Sequence, residues 1–432
     1  MRPDACARRA VVAGLWGGIL FLWPGRAAAA ADQWETLPPV PFTYGVSAGG
    51  GLASDGAYLY AADFSGDADN DYIDLDDDLA DDPGERLDAL GLANGSVRLA
   101  RFNPADHTWE TMPTLNPGGV GGDAFSAGNL INPLFVAAGT LYYYQFRAGP
   151  NACAMYGYDL SQGLVGTWQT VWEKTLSDGL PISGNAGIVG LEHDGAPVLL
   201  HHLGGGEYRY ARSDGFADGG VHTVLPADWG GGTYFPRNSG WAYDAQRDRL
   251  FILSGDVLKM WTHNDADYPG GSFLTTLPDG AHNVGIVTNL IPSLEDVFGW
   301  NPDGTAARTG TSLWGNSLSL VNQPSGVANG PNGEDTGDNV LYLVRGETTA
   351  AGWPFNEGRG IINNGHFARV FPATGTHQPL PDAPFLVGKG STTVYHNGFV
   401  YLTQGDTRTV GEGGSLGGEG IRRPGKGFAR FV

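Results

Sequence analysis

One unit, returning about every 40 to 50 residues, constrains this chain more than any other feature. An apolar residue followed by Pro leads through a Gly-rich stretch into a turn, and the turn into a short run of aromatic and aliphatic residues. Near one end Leu37-Pro38-Pro39-Val40-Pro41-Phe42 leads to Asp55-Gly56-Ala57-Tyr58-Leu59-Tyr60; near the other Leu380-Pro381-Asp382-Ala383-Pro384-Phe385 leads to Asn397-Gly398-Phe399-Val400-Tyr401-Leu402. Repeats of about this length, built from short strands, predict a solenoid or a propeller.

The turn-and-run element can be traced along the chain. After Gly56 come Gly139 before Thr140-Leu141-Tyr142-Tyr143, Gly195 before Val198-Leu199-Leu200, Asp248 before Leu250-Phe251-Ile252-Leu253, Asp338 before Val340-Leu341-Tyr342-Leu343, and Gly398. The gap between Asp248 and Asp338 is nearly twice the others. Asp296 before Val297-Phe298-Gly299-Trp300 fills it weakly, and counting it predicts seven units. Period-2 apolar runs bounded by Gly, Asp, Asn and Pro are strand and turn signals, so the expected class is all-β.

In Phe102-Asn103-Pro104-Ala105-Asp106-His107-Thr108-Trp109-Glu110-Thr111-Met112-Pro113 a strand ends in an Asn-Pro turn and restarts at a Trp. On these residues the chain from about Trp34 to Val432 resembles the kelch repeats of the galactose oxidase superfamily, although the double glycine of that repeat is missing from several units. The resemblance implies a seven-bladed β-propeller. The two ends, Trp34-Glu35-Thr36-Leu37 and Phe428-Ala429-Arg430-Phe431-Val432, predict that the N-terminal strand completes the last blade, which would remove both open edges. Trp34, Trp109 and Trp168 recur at one place in the unit and are expected between blades.

Residues 1–31 read as a secretory signal: Arg2, Arg8 and Arg9 precede an apolar run from Ala10 to Trp23, closed by an Ala-rich tract. The expected organisation is therefore a signal at 1–31 and a propeller at 32–432, secreted or periplasmic, with no membrane span. The formal net charge is −21, and removing 1–31 leaves 21 basic against 45 acidic residues, a net −24. Such a chain should repel nucleic acid and anionic lipid. Of the two cysteines only Cys153 lies outside the signal, so no intrachain disulfide is expected and stability must come from the core. The partner expected is a polysaccharide or an extracellular protein, and the chain is expected to be a monomer.

If the apolar runs are the second strands of blades, three segments after them are long: Asp63 to Ser96 in blade one, Gly346 to His366 in blade six and Gly405 to Gly427 in blade seven. Long loops on adjacent blades of a rigid scaffold are where binding usually sits. The first is strongly acidic, and Asp67, Asp69 and Asp71 are spaced as oxygen ligands for calcium. They resemble the start of an EF-hand loop, but Tyr72 stands where Gly is wanted and no Glu closes the loop. The competing reading is a solvated acidic loop beside basic neighbours. No cofactor other than calcium is expected. Arg359, Arg408 and Arg422 lie in the other two segments, and Trp353 with Asn363 could stack on a sugar ring and read its hydroxyls, or plug the channel.

A second constellation, His201, His202, Tyr208 and Arg212, holds the imidazole, phenol and guanidinium that β-elimination of a uronic-acid glycan requires. The plainer reading of these four is core and sheet packing. The sequence thus supports two functions: a binding propeller with a carbohydrate or protein ligand on its loop-rich face, or a carbohydrate-active enzyme, a polysaccharide lyase. Copper oxidation fits poorly, since no His lies beyond His396. No nucleophile elbow, His-Glu-x-x-His helix or phosphate-cradling loop is present.

Overall fold

A computed structural model describes residues 32–42, 50–65, 96–116, 133–147, 152–175, 188–203, 209–214, 221–223, 240–254, 257–262, 286–292, 317–321, 338–346, 348–349, 361–362, 365–388, 390–409 and 421–432. The first strand, β1 (Trp34–Thr36), does not join the strands next to it in the chain. Blade one is β2 (Gly51–Ser54), β3 (Leu59–Ser65), β4 (Ser96–Asn103) and β5 (Thr108–Thr111). Blade two is β6 (Leu134–Ala137), β7 (Thr140–Arg147), β8 (Ala152–Asp159) and β9 (Gln169–Thr175). Blade three is β10 (Ile188–His193), β11 (Ala196–Leu203), β12 (Arg209–Asp214) and β13 (Val221–Thr223). Blade four is β14 (Gly240–Asp244), β15 (Arg249–Ser254), β16 (Val257–Thr262) and β17 (Ile286–Ile291).

Blade five starts with β18 (Ser317–Val321) and β19 (Val340–Val344). A small ribbon, β20 (Thr348–Thr349) with β21 (Ile361–Ile362), interrupts it before β22 (Phe367–Phe371) and β23 (Thr376–Leu380) complete it. The last blade is composite: β24 (Thr393–His396), β25 (Phe399–Thr409) and β26 (Ile421–Phe431) take β1 as their outer strand, with Trp34 opposite Phe431. All the pairings are antiparallel, and the chain is an all-β propeller. The first strands β2, β6, β10, β14, β18 and β24 are each in contact with the next, and β24 with β2, so the ring closes.

Among the described residues there are thus six four-stranded sheets, four of chain-consecutive strands, one interrupted by the β20–β21 ribbon and one composite, and not the seven blades expected. The unit counted at Asp296 lies outside the described residues, in the connection between β17 and β18. Blades four and five already touch through β14 and β18, so no blade stands between them. The doubled spacing from Asp248 to Asp338 comes from long connections at 263–285, 293–316 and 322–337. The other six turns do precede second strands. Three of these turns, Ala138-Gly139, Asp194-Gly195 and Asn397-Gly398, have positive φ at both residues (47° and 73°, 51° and 77°, 48° and 93°), the geometry that matches strand twist in a tight hairpin.

The recurring apolar-Pro and Trp signals turn out to be two halves of one contact. The Trp109 indole Nε1 donates to the Pro38 carbonyl at 3.0 Å, Trp168 to Pro113 at 3.0 Å and Trp34 to Pro381 at 2.8 Å. In each case the Trp belongs to the outer part of one blade, and the Pro comes just after the outer strand of the blade before it. The apolar residue ahead of the Pro, Leu37, Met112 or Leu380, is buried. Pro forces its predecessor to stay extended, which aims that side chain inward and presents the carbonyl to the next blade. A cross-strand polar pair repeats nearby: Arg101 with Glu110, Arg430 with Glu35 and Arg369 with Gln378.

The core lies between blades. Tyr60 and Ala62 of blade one meet Leu141 and Tyr143 of blade two; Phe251 and Leu253 of blade four meet Leu341 and Leu343 of blade five. Phe102, Trp109, Tyr401 and Phe428 cluster across the closure, with Phe102 edge-on to Phe428 at 5.0 Å. Between blades four and five a buried Arg249 holds both Asp244 and Asp338, balancing two carboxylates beside Arg247.

Replacing Trp109 by Phe keeps the ring and deletes one donor. We expect a loss of about 1 kcal/mol in unfolding free energy, against about 3–5 kcal/mol for Trp109→Ala. Denaturant midpoints check this, and equal midpoints for wild type and Trp109→Phe would show that the indole bond contributes nothing to stability.

Candidate functional site

Every second strand starts at the face of the short hairpins and ends at the opposite face, from which the segments 66–95, 350–360 and 410–420 issue. Alternate residues of each second strand face the preceding blade. In β3 these are Leu59 and Ala61, against Tyr401 and Phe428; in β7 Leu141 and Tyr143; in β15 Leu250 and Ile252, against Val198 and Leu200. In β19 they are Leu341 and Leu343, and in β25 Val400 and Leu402. In β11 Val198 and Leu200 face blade four, so Pro197 and Leu199 hold the equivalent positions.

One step further along the same row, the residue is polar in all six blades: Asp63, Gln145, His201, Ser254, Arg345 and Gln404. Asp63, Gln145 and Arg345 are each 0% exposed. A buried polar group costs free energy unless it is hydrogen-bonded. Asp63 pairs with Arg98, its cross-strand neighbour, whose guanidinium lies 5.6 Å from the Phe42 ring centroid. Burial, and to a lesser degree the Asp63 charge, push the Tyr143 hydroxyl far above its ordinary range and keep it protonated. Gln404 Oε1 accepts from the Gly427 amide at 3.0 Å. That approach requires glycine nearby, since a Cβ at Gly425 would come within 2.3 Å of the Gln404 side chain. Among the described residues neither Oε1 nor Nε2 of Gln145 has a hydrogen-bond partner.

Of the residues singled out by the sequence, the described ones fall in blade three and the composite blade. His201 holds the polar row position in β11. It lies opposite Ala211, while Leu200 lies opposite Arg212 and His202 opposite Tyr210. Residues directly opposite share a face, so Arg212 falls on the face of Leu200 and His202, and His201 on the other. Arg408 and Arg422 are strand residues directly opposite each other in β25 and β26. The segment expected as a loop from Gly405 to Gly427 is therefore strand as far as Thr409 and again from Ile421. Tyr208, Trp353, Arg359, Asn363, Asp67, Asp69 and Asp71 lie outside the described residues. Among the described residues no group of three or more His, Cys, Asp or Glu could hold a metal ion, and no helix is long and apolar enough to cross a membrane.

Sequence reasoning missed Gln145 and Arg345 and counted Asp63 with an acidic loop. The signal was available: aligning the six runs by their turns puts a polar residue two places after the second inward apolar one every time.

The hairpin face carries a different arrangement. Ser54 Oγ lies 2.7 Å from His396 Nδ1, across the seam between blade one and the last blade. Asn397 Nδ2 lies 3.0 Å from His396 Nε2 and donates to the Gly56 carbonyl at 3.1 Å, which fixes the amide orientation. Nε2 must then accept, so Nδ1 carries the proton and donates to Ser54. A serine that receives this bond is not being deprotonated by the imidazole, and the pair is a seam contact and not a nucleophile with its base.

No protein-family model matches the chain, and no curated protein matches it by sequence. Solved structures with a similar chain path include a fungal alcohol oxidase of the AA5 family in complex with copper (10% identity, TM-score 0.46, covering 93% of this chain and 76% of that one). Two others are a Trypanosoma rangeli sialidase in complex with the inhibitor DANA (10%, 0.45, 92% and 58%) and an exo-β-1,3-galactanase from Phanerochaete chrysosporium (9%, 0.40, 81% and 66%). At such identities the likeness concerns the chain path alone.

Burial holds the His396 imidazole below its ordinary value, with Asp55 opposing the shift. In the unfolded chain it titrates near 6.5. Below that pH the unfolded chain takes up a proton that the folded seam refuses, so the stability His396 contributes is present above about pH 6.5 and lost as pH falls. The gap in melting temperature between wild type and His396→Leu should therefore narrow from pH 7 to pH 5. A gap independent of pH would show that the imidazole does not enter the seam neutral.

Proposed function

We propose that this chain is an exported, kelch-like propeller that binds a carbohydrate on the face where its second strands end. The observation that carries the reading is the polar row: six blades, each apolar at two successive inward positions and polar at the third, always at the same face. Asp63, Gln145 and Arg345 are enclosed between blades, whereas the half-buried Gln404 amide offers both donors and an acceptor. Sugar hydroxyls need both, whereas an apolar ligand would leave these groups unsatisfied. The signal-like residues 1–31 support export, and the Trp-to-Pro contacts between blades support the kelch-like description. Calcium at Asp67, Asp69 and Asp71 remains part of the proposal as an organiser of the blade-one segment, on the spacing of those carboxylates alone.

A second reading, a lyase acting on uronic-acid glycans, is favoured by one observation: the His202 and Arg212 positions share a sheet face. It predicts unsaturated products whose formation stops in His202→Ala while binding is kept.

The binding reading is tested on residues 32–432 by affinity electrophoresis through gels holding neutral or acidic polysaccharides. Gln404→Leu removes the half-buried amide of the row together with its bond from the Gly427 amide, at a cost of about 1 kcal/mol in folding stability. Affinity should drop about tenfold, the loss of one or two hydrogen bonds. Equal retardation of wild type and Gln404→Leu, or no retardation in any gel, would overturn it.

A further inference from the structure

The hairpin of β25 and β26 is longer than its sheet. Within the composite blade, β24 pairs only with residues 399–402 of β25, and β1 only with residues 429–431 of β26. Pairing between β25 and β26 nevertheless continues through Gly405 opposite Gly425, Asp406 opposite Pro424, Thr407 opposite Arg423, Arg408 opposite Arg422 and Thr409 opposite Ile421. A register shift between Thr403 and Gly405 separates the two parts. Such irregularities bend and twist a strand pair away from its sheet. Among the described residues the outer part is a two-stranded ribbon with no third strand, at the face of the polar row.

Its charge is opposite to that of the chain. Residues 405–427 contain Arg408, Arg422, Arg423 and Lys426 against Asp406, Glu412 and Glu419, within a sequence of net charge −21. The register also sets Arg408 directly across from Arg422. Directly opposed positions in an antiparallel pair have Cβ atoms about 4.5–5.5 Å apart, and like charges there destabilise the pair. A lone two-stranded ribbon is already marginal in water. An anion placed across the two arginines would reverse both penalties. At physiological salt, charges beyond about 8 Å are largely screened, so the acidic remainder of the chain does not forbid anion binding at the ribbon.

We infer that the Arg408–Arg422 ribbon is an anion-selecting element and that the glycan this propeller takes is acidic, its carboxylate or sulfate groups meeting the opposed arginines. This rests on the carbohydrate reading and gives it a charge class. A guanidinium is suited to either anion through paired N–H donors.

Three polymers serve as probes in the affinity gels: uncharged dextran, polygalacturonate and dextran sulfate. Wild type should be retarded by at least one of the charged polymers about tenfold more strongly than by dextran, and the preference should fall steeply with added salt. In the double variant R408Q/R422Q the preference should fall to less than about twofold, with retardation by dextran unchanged. Arg408→Asp turns the like pair into an opposite pair; it should raise the melting temperature at low salt while abolishing the preference, which a merely structural role for Arg408 would not do. Retardation by dextran with no preference for charged polymers, or a preference that survives in R408Q/R422Q, overturns the ribbon and leaves carbohydrate binding standing. No retardation by any of the three overturns the ribbon together with the carbohydrate reading.

Discussion

Closure of the ring is the constraint on which everything else depends. Six sheets can lie side by side only if the last meets the first, and the chain achieves this by lending β1 to the sheet of β24, β25 and β26. The Trp34 indole then reaches Pro381, and Asp32 reaches Arg369, each more than three hundred residues away in sequence. The same Trp-to-Pro bond joins blade one to the composite blade and blade two to blade one. Each is worth only about 1 kcal/mol, but it recurs at equivalent places between successive blades. Proline suits the acceptor site because it holds the preceding apolar side chain inward while leaving its own carbonyl available.

Within this frame the two faces of the ring differ. The hairpin face is held by specific polar contacts: Ser54 with His396, Asp55 with the Tyr60 hydroxyl, and Arg249 between Asp244 and Asp338. Burial makes such contacts expensive to break, because removing one partner strands the other. The opposite face combines the polar row with the connections between second and third strands. Long connections there belong to blades one, five and six, which are adjacent around the closure, so the composite blade lies where those connections are longest. A rigid wheel that carries the connections between its second and third strands on one face is a suitable base for ligand binding there.

Charge is divided in the same way. The acidic residues are crowded into the segment after β3, while the extended hairpin of β25 and β26 collects arginines. A ribbon that leaves its sheet gives up the burial that stabilises the rest of the blade. The glycines at 425 and 427 allow it to bend close over Gln404 as it does so.

The sequence by itself determined the all-β class, the blade repeat, the place of the turns and the pairing of the two ends, because each arises from local chemistry: alternating apolar residues, positive-φ turn residues and an apolar-Pro step repeated in register. It did not determine the number of blades. Asp296 carries a weak turn-like signal that completes an even spacing, and only contact between β14 and β18 shows that no blade intervenes. Nor could it separate His201 from His202 and Arg212 in their relation to neighbouring blades, since strand parity acquires a direction only when the face of Leu200 is known. Residues 405–409 and 421–427 read as loop because glycine and charge dominate them, yet backbone pairing, which needs no apolar side chain, continues there. The polar row was present in the letters from the start. Tertiary structure decided its meaning, because a polar residue near a strand end is ordinary on a surface and costly between two packed sheets, and burial is a property of the assembled ring.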